Sequence, residues 1–210
     1  INASKNWNKT GAIIGTTTVA NYLGGRGGAI LKEGYPVNAF WSYSFAGLNP
    51  TNGIPTFNLF NTDKDVAIAD PSSFLVYSGA NTPSVTGGMS MNFRYKSFSI
   101  NTGFAMILGA KTRLANPYAN FINGFTLPNA ESNINRLLLN RWKAPGDELT
   151  TNIPSLNAQN TQVITLPNGL ISPSKLVDLW ATSDAQVVDA SFLRSRNIDL
   201  SWRLNKRVID

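Results

Sequence analysis

The chain has 210 residues, of which 14% are charged, against about 25% in a typical soluble protein, while 25 are asparagine. It holds no cysteine and no histidine, which excludes a disulfide framework, zinc sites built on those ligands, histidine-dependent triads and cysteine nucleophiles. The net charge of +6 is scattered rather than gathered into a basic block, so nucleic-acid binding is not expected, and nothing in the sequence calls for a cofactor or metal.

In chain order, residues 1 to 31 are polar and then glycine-rich. Gly24, Gly25, Gly27 and Gly28 surround Arg26, but no Lys-Ser or Lys-Thr closes a phosphate loop, so a turn is expected. The start at Ile1, without a basic and then apolar leader, reads as a processed or internal piece of a longer polypeptide. Val37, Ala39, Trp41, Tyr43 and Phe45 alternate with Asn38, Phe40, Ser42 and Ser44, which predicts an aromatic strand ended by Gly47 and Asn49-Pro50. A long irregular connection is expected to about residue 85, with Asp63, Asp65 and Asp70 in a solvated loop, since the calcium-loop glycine and terminal glutamate are missing.

Residues 86 to 110 carry the clearest pattern. Met89, Met91, Phe93 and Tyr95 alternate with Ser90, Asn92 and Arg94. After Lys96-Ser97 the parity switches, so that Phe98, Ile100, Thr102, Phe104, Met106 and Leu108 alternate with Ser99, Asn101, Gly103, Ala105, Ile107 and Gly109. That switch is what a two-residue hairpin needs to keep its apolar side chains on one face, with Tyr95 opposite Phe98. Ile107 breaks the polar set. From 111 to 187 a second irregular region is expected, with two short helices: one placing Ile134, Leu137 and Leu138 on a face, the other capped by Ser174 and running to Trp180. Pro145-Gly146 marks a turn between them. Finally Ile198, Leu200, Trp202 and Leu204 alternate with Asn197, Asp199, Ser201 and Arg203, a strand with one oily face. The chain ends at Asp210, after Lys206-Arg207, without a terminal aromatic strand.

Period-2 alternation fits a soluble sandwich as well as an outer-membrane barrel. Three features favour the barrel. Phe98 to Leu108 spans about 36 Å of strand, which a tilt near 45° projects onto about 25 Å, the height of a barrel's apolar band. The turn at Lys96-Ser97 is minimal, while the opposite connections run for about 40 and 75 residues. Phe93, Tyr95 and Phe98 gather at that turn, where an interfacial girdle sits.

Four segments then resemble a known family. GYPVNAFWSYSFAGLNPTNGIP, YSGANTPSVTGGMSMNFRYKSFSINTGF, RWKAPGDE followed by IP, and VVDASFLRSRNIDLSWRL occur in this order between about residues 33 and 204. Together they resemble the C-terminal barrel half of the SusC/RagA-type TonB-linked outer-membrane transporters. The resemblance implies an all-β fold: antiparallel strands of one large transmembrane β-barrel, part of a plugged transporter whose N-terminal plug and final strands lie outside this chain. It implies import of oligosaccharides or peptides, energised by the TonB complex through the plug, with a SusD-like surface lipoprotein as lid, and leaves open one transporter–lid unit or a pair of them. It implies a Gram-negative outer-membrane location with the long loops extracellular.

On this reading Met91, Phe93, Phe98, Ile100, Phe104, Met106, Leu108, Ile198, Leu200, Trp202 and Leu204 face lipid. Ser90, Asn92, Arg94, Ser99, Asn101, Asp199, Ser201 and Arg203 face the lumen or plug, with Arg94 and Arg203 either pairing with plug carboxylates or simply solvated. The loops at 46 to 85 and 111 to 187 are where a lid or substrate would be met; in the second, Arg141, Trp142 and Trp180 are candidate contacts, with loop packing as the competing role of each. The alternative is a soluble β-sandwich that binds glycans. No catalytic set is legible: the twelve carboxylates show no paired arrangement.

Overall fold

The computed structural model describes residues 1–12, 18–24, 32–59, 62–119, 133–159, 161–169 and 171–204. Gly25 to Gly28, within the glycine cluster, and the terminal Lys206, Arg207 and Asp210 lie outside the described residues. In chain order the elements are β1 (Asn2–Lys5), α1 (Val19–Gly24), β2 (Ala39–Ser42), β3 (Phe45–Leu48), β4 (Pro55–Phe57), α2 (Lys64–Ala69), β5 (Val76–Ala80), β6 (Val85–Tyr95), β7 (Phe98–Leu108), β8 (Lys111–Arg113), β9 (Thr161–Thr165), β10 (Ile171–Lys175), α3 (Leu176–Ala181), β11 (Val187–Asp189) and β12 (Phe192–Trp202). The architecture is mostly antiparallel β, with a few short helices. A four-stranded sheet runs in the order β1-β6-β7-β12 and is open, not closed into a barrel; four two-stranded ribbons join β2 to β5, β3 to β4, β8 to β11 and β9 to β10.

The β6–β7 hairpin forms in the register its alternation demands: Tyr95 pairs with Phe98, and the ladder runs unbroken to Val85 opposite Leu108. Lys96 takes φ 54°, the positive φ that a tight two-residue hairpin loop requires. The pairing of β7 with β12 continues beyond the sheet. Gly109, at φ 78°, turns the chain; its amide donates to Ser191 Oγ at 2.9 Å, and the Ala190 amide donates to the Ala110 carbonyl at 2.9 Å. β8 then pairs with β11, clasped by a 3.0 Å Lys111–Asp189 ion pair.

Here the structure departs from several expectations. The predicted strand over 37–45 is broken: β2 pairs with β5, β3 turns away to pair with β4, and Tyr43 between them makes only a bridge to Ser183. Asn38, at φ 65°, is not part of it. The acidic stretch at 63–70 is not a loop but α2, capped by Asp63, whose carboxylate accepts the Asp65 amide at 2.8 Å. The Ile134–Leu138 pattern forms only a 3-10 turn, Arg136–Asn140, in which Leu138 alone is buried. Ser174 belongs to β10, and α3 starts one residue later with Lys175 at its N-cap and no side-chain capping bond. Gly146, at φ 104°, does make the expected turn.

The long connections carry the hydrophobic core. One cluster holds Tyr22, Trp41, Tyr43, Ala67, Phe74, Leu75 and Leu179. A second holds Tyr118, Leu138, Ala158, Val177, Trp180 and Ala181. α3 joins them, because helical spacing sends Leu179 to one and Val177, Trp180 and Ala181 to the other. Arg113 ties the first cluster to β8: its guanidinium donates to the Leu23 carbonyl and, at 2.8 Å each, to the Trp41 carbonyl and Ser42 Oγ. Burial holds its pKa below the ordinary arginine value. Burial also pushes the Tyr43 hydroxyl up to about 12.

Candidate functional site: a two-faced sheet

Register sorts the side chains of β6, β7 and β12 into rows, with Arg196 of β12 left out as an unpaired extra residue. On one face the rows read Tyr95–Phe98–Trp202, Phe93–Ile100–Leu200, Met91–Thr102–Ile198, Met89–Phe104–Ser195 and Gly87–Met106–Leu193, ending at Val85–Leu108. Among the described residues nothing packs over this face. Leu193 and Ile198 are each 71% exposed and Leu200 is 70% exposed; Met91, Phe93, Phe98, Ile100, Leu108, Trp202 and Leu204 are also exposed, while Phe104 and Met106 are half-buried by their neighbours. Full burial of such a side chain is worth about 1.5–3 kcal/mol, and in water the exposed part of each forgoes its share of that.

The turn end of this face is aromatic. Phe98 and Trp202 stack with ring centroids 5.6 Å apart and planes 4° from parallel, beside Tyr95. Lys96 lays its ammonium over the Tyr95 ring at 5.3 Å. Amphipathic rings with an adjacent cation suit the boundary between hydrocarbon and headgroup.

The opposite face is polar. Its rows read Arg94–Ser99–Ser201, Asn92–Asn101–Asp199, Ser90–Gly103–Asn197 and Gly88–Ala105–Arg194. Ser99 and Ser201 hydroxyls bond at 2.6 Å, Asn92 donates to Asn101 Oδ1, and Asn197 donates to Asp199 Oδ2 at 2.7 Å. Arg203, just past β12, anchors its amide to the Ser97 carbonyl at 2.8 Å. Ile107, the exception in the sequence pattern, sits opposite Phe192 and Thr86 at the loop end of this face, so it has an apolar cross-strand partner.

Sequence reasoning missed how β12 continues towards the loops. Unbroken alternation back from Trp202 would put Arg196 and Arg194 on the oily face. A β-bulge at Arg196 prevents this: Ser195 pairs with Phe104 and Asn197 with Gly103, and the extra residue flips the parity. Leu193 thereby joins the oily face, while Arg194 moves to the polar one, where its guanidinium lies 5.2 Å from the Phe192 ring. Arg196 leans over Gly103, where an added Cβ would come within 3.9 Å of its own Cβ. The signal was present in the two arginines at apolar parity upstream of Ile198.

The loop candidates divide. Trp180 is 1% exposed and packs edge-to-face on Tyr118 at 6.1 Å. Trp142 is 7% exposed and lies on Gly53, with its indole N–H donated to Glu148 at 3.1 Å. Neither presents a free surface to a lid or substrate; both hold loops together. Around Trp142, Asp147 accepts the Lys143 and Ala144 amides at 2.9 and 3.0 Å, which keeps its carboxyl below the usual range. Arg141 remains partly exposed and lines a hollow of about 340 Å³ with Ile134, Asn135, Arg136, Leu138, Leu139 and Leu156. Among the described residues no three histidine, cysteine, aspartate or glutamate side chains gather to hold a metal, and no helix is long and apolar enough to cross a membrane.

No family model and no curated protein matches this chain by sequence. Solved structures match it by fold. The RagAB peptide importer in the "closed-closed" state superposes with a TM-score of 0.53 at 22% identity, covering 86% of this chain and 18% of that one. The RagAB peptide transporter gives 0.51 at 23%, covering 82% and 17%, and the importer in the "open-open" state gives 0.50 at 23%, covering 86% and 17%. This chain thus spans less than a fifth of the length of these three chains, and its antiparallel fold is similar to a section of each.

Proposed function

We propose that this chain forms part of the wall of an outer-membrane β-barrel importer, with its oily face in lipid and its polar face towards the lumen. The observation that carries this reading is the uncovered apolar face: three adjacent eleven-residue strands with their apolar side chains aligned on one side. An eleven-residue tilted strand spans about 25 Å of hydrocarbon. The soluble-sandwich alternative needs a second sheet on that face, and among the described residues none packs there.

Peptides are the favoured cargo, because the structural neighbours are peptide importers; the family resemblance alone leaves oligosaccharides open. The same resemblance supports TonB as the energy source and a SusD-like surface lipoprotein as partner. With the oily rows in lipid, the two-residue turn lies on the periplasmic side and the two core clusters stand outside the cell. A transport role, not an enzymatic one, accords with the neighbours. Cells lacking the intact protein should lose uptake of short peptides, and the protein should sediment with the outer membrane. Retention in the soluble fraction without detergent would contradict the proposal.

A further inference from the structure

The polar face carries a strong charge imbalance. Arg94 and Arg194 hold register positions on this face, Arg196 bulges out over Gly103, and Arg203 follows Trp202 in the alternation, its amide on the Ser97 carbonyl; among the described residues the one carboxylate in these rows is Asp199. All four arginines are exposed, and among the described residues the ion pairs are Lys32–Asp70 and Lys111–Asp189, so none of the four is neutralised by its neighbours. Asp199 is engaged by Asn197. The remaining lining is neutral: Ser90, Asn92, Ser99, Asn101 and Ser201. The bulge at Arg196 contributes directly, since it takes two guanidinium groups off the oily face and adds them to this one.

Resting on the import reading, we infer that this wall selects carboxylate-bearing peptides as cargo. Guanidinium groups recognise carboxylates through paired N–H donors. A row of like charges beside a low-dielectric wall concentrates anions along its length. An extended peptide suits the spacing, because its alternate side chains repeat at about 6.6 Å, as do alternate rows of the sheet. The same chemistry recurs off the sheet, in the hollow where Arg136 and Arg141 stand beside Ile134, Leu138, Leu139 and Leu156. A peptide carrying both carboxylates and apolar side chains suits both places.

The test is uptake of acidic, neutral and basic peptides of matched length by cells carrying the intact protein, at low ionic strength. Two variants are compared at equal surface levels, one with Arg94, Arg194, Arg196 and Arg203 each changed to Gln, and one with each changed to Lys. Wild type should favour the acidic peptide. The Gln variant should lose about tenfold of that uptake while the neutral peptide is unaffected, and the Lys variant should recover most of it. Equal loss of all three peptides in the Gln variant would assign the arginines to a resident segment and overturn the inference, as would an unchanged preference. Absence of any peptide uptake by wild type would instead sink the import reading itself.

Discussion

Single residues decide how the loops hold their shape. Gly53 has φ 66°, and a Cβ there would lie 2.3 Å from Trp142 Cδ2, so the indole needs both the missing side chain and the left-handed backbone. Gly53→Ala should cost about 1–3 kcal/mol by overpacking. It should show as lost exchange protection at the Trp142 and Ser155 amides, which bond the Ile153 and Gly53 carbonyls at 2.9 Å. Asp70 gives a pH signature. Its partial burial acts to raise the pKa, but bonds from Ser72 and Lys32 outweigh this and hold it below 3.8. A depressed carboxylate pKa contributes stability that is complete above the unfolded value and is lost as pH falls through the folded one. Protection of the Ser72 amide should therefore fall below about pH 3.9, and Asp70→Asn should remove that pH dependence. Persistence of the same acid transition in the variant would show that another group is responsible. Neither feature was legible beforehand: a glycine in a turn and an aspartate in a helix-flanking stretch look alike whether or not a tryptophan or lysine from far along the chain meets them.

At the scale of elements, the hairpin was readable because strict alternation and a two-residue turn leave one register that keeps one face apolar. The strand over 37–45 was misread for a related reason. Its alternation is genuine, but β2 and β3 pair with different partners, and partner choice depends on contacts distant in sequence. The loops were expected to be irregular because their apolar residues show no long period; they fold around aromatic clusters assembled from several segments. In β12 the bulge corrects a parity that pattern alone would have carried into the arginines. The two faces can be separated by adjacent substitutions. Phe104→Arg places a charge on the oily face and should cost about 2–4 kcal/mol if that face lies in lipid near the midplane. Ala105→Glu, one residue on, facing the polar side and directly opposite Arg194, should fold within about 0.5 kcal/mol of wild type. Denaturant unfolding of the intact protein in lipid vesicles measures both, and equal costs would deny that the faces meet different solvents.

For the molecule as a whole, an open sheet with two exposed faces stands beside a packed core built from the connections. That division is economical if the sheet's apolar face is covered by hydrocarbon and its edges continue into further strands of a wall, and costly in water. The central claim is that period-2 exposure along β12 reports two solvents. The most direct measurement is a spin-label scan of the intact protein in lipid vesicles, using Leu193→Cys, Arg194→Cys, Asn197→Cys, Ile198→Cys, Asp199→Cys, Leu200→Cys and Ser201→Cys. Labels at Leu193, Ile198 and Leu200 should be accessible to oxygen and shielded from a water-soluble nickel chelate, those at Arg194, Asn197, Asp199 and Ser201 the reverse, with the phase slipping by one residue at the bulge. Equal access of the chelate to both sets would contradict the membrane assignment.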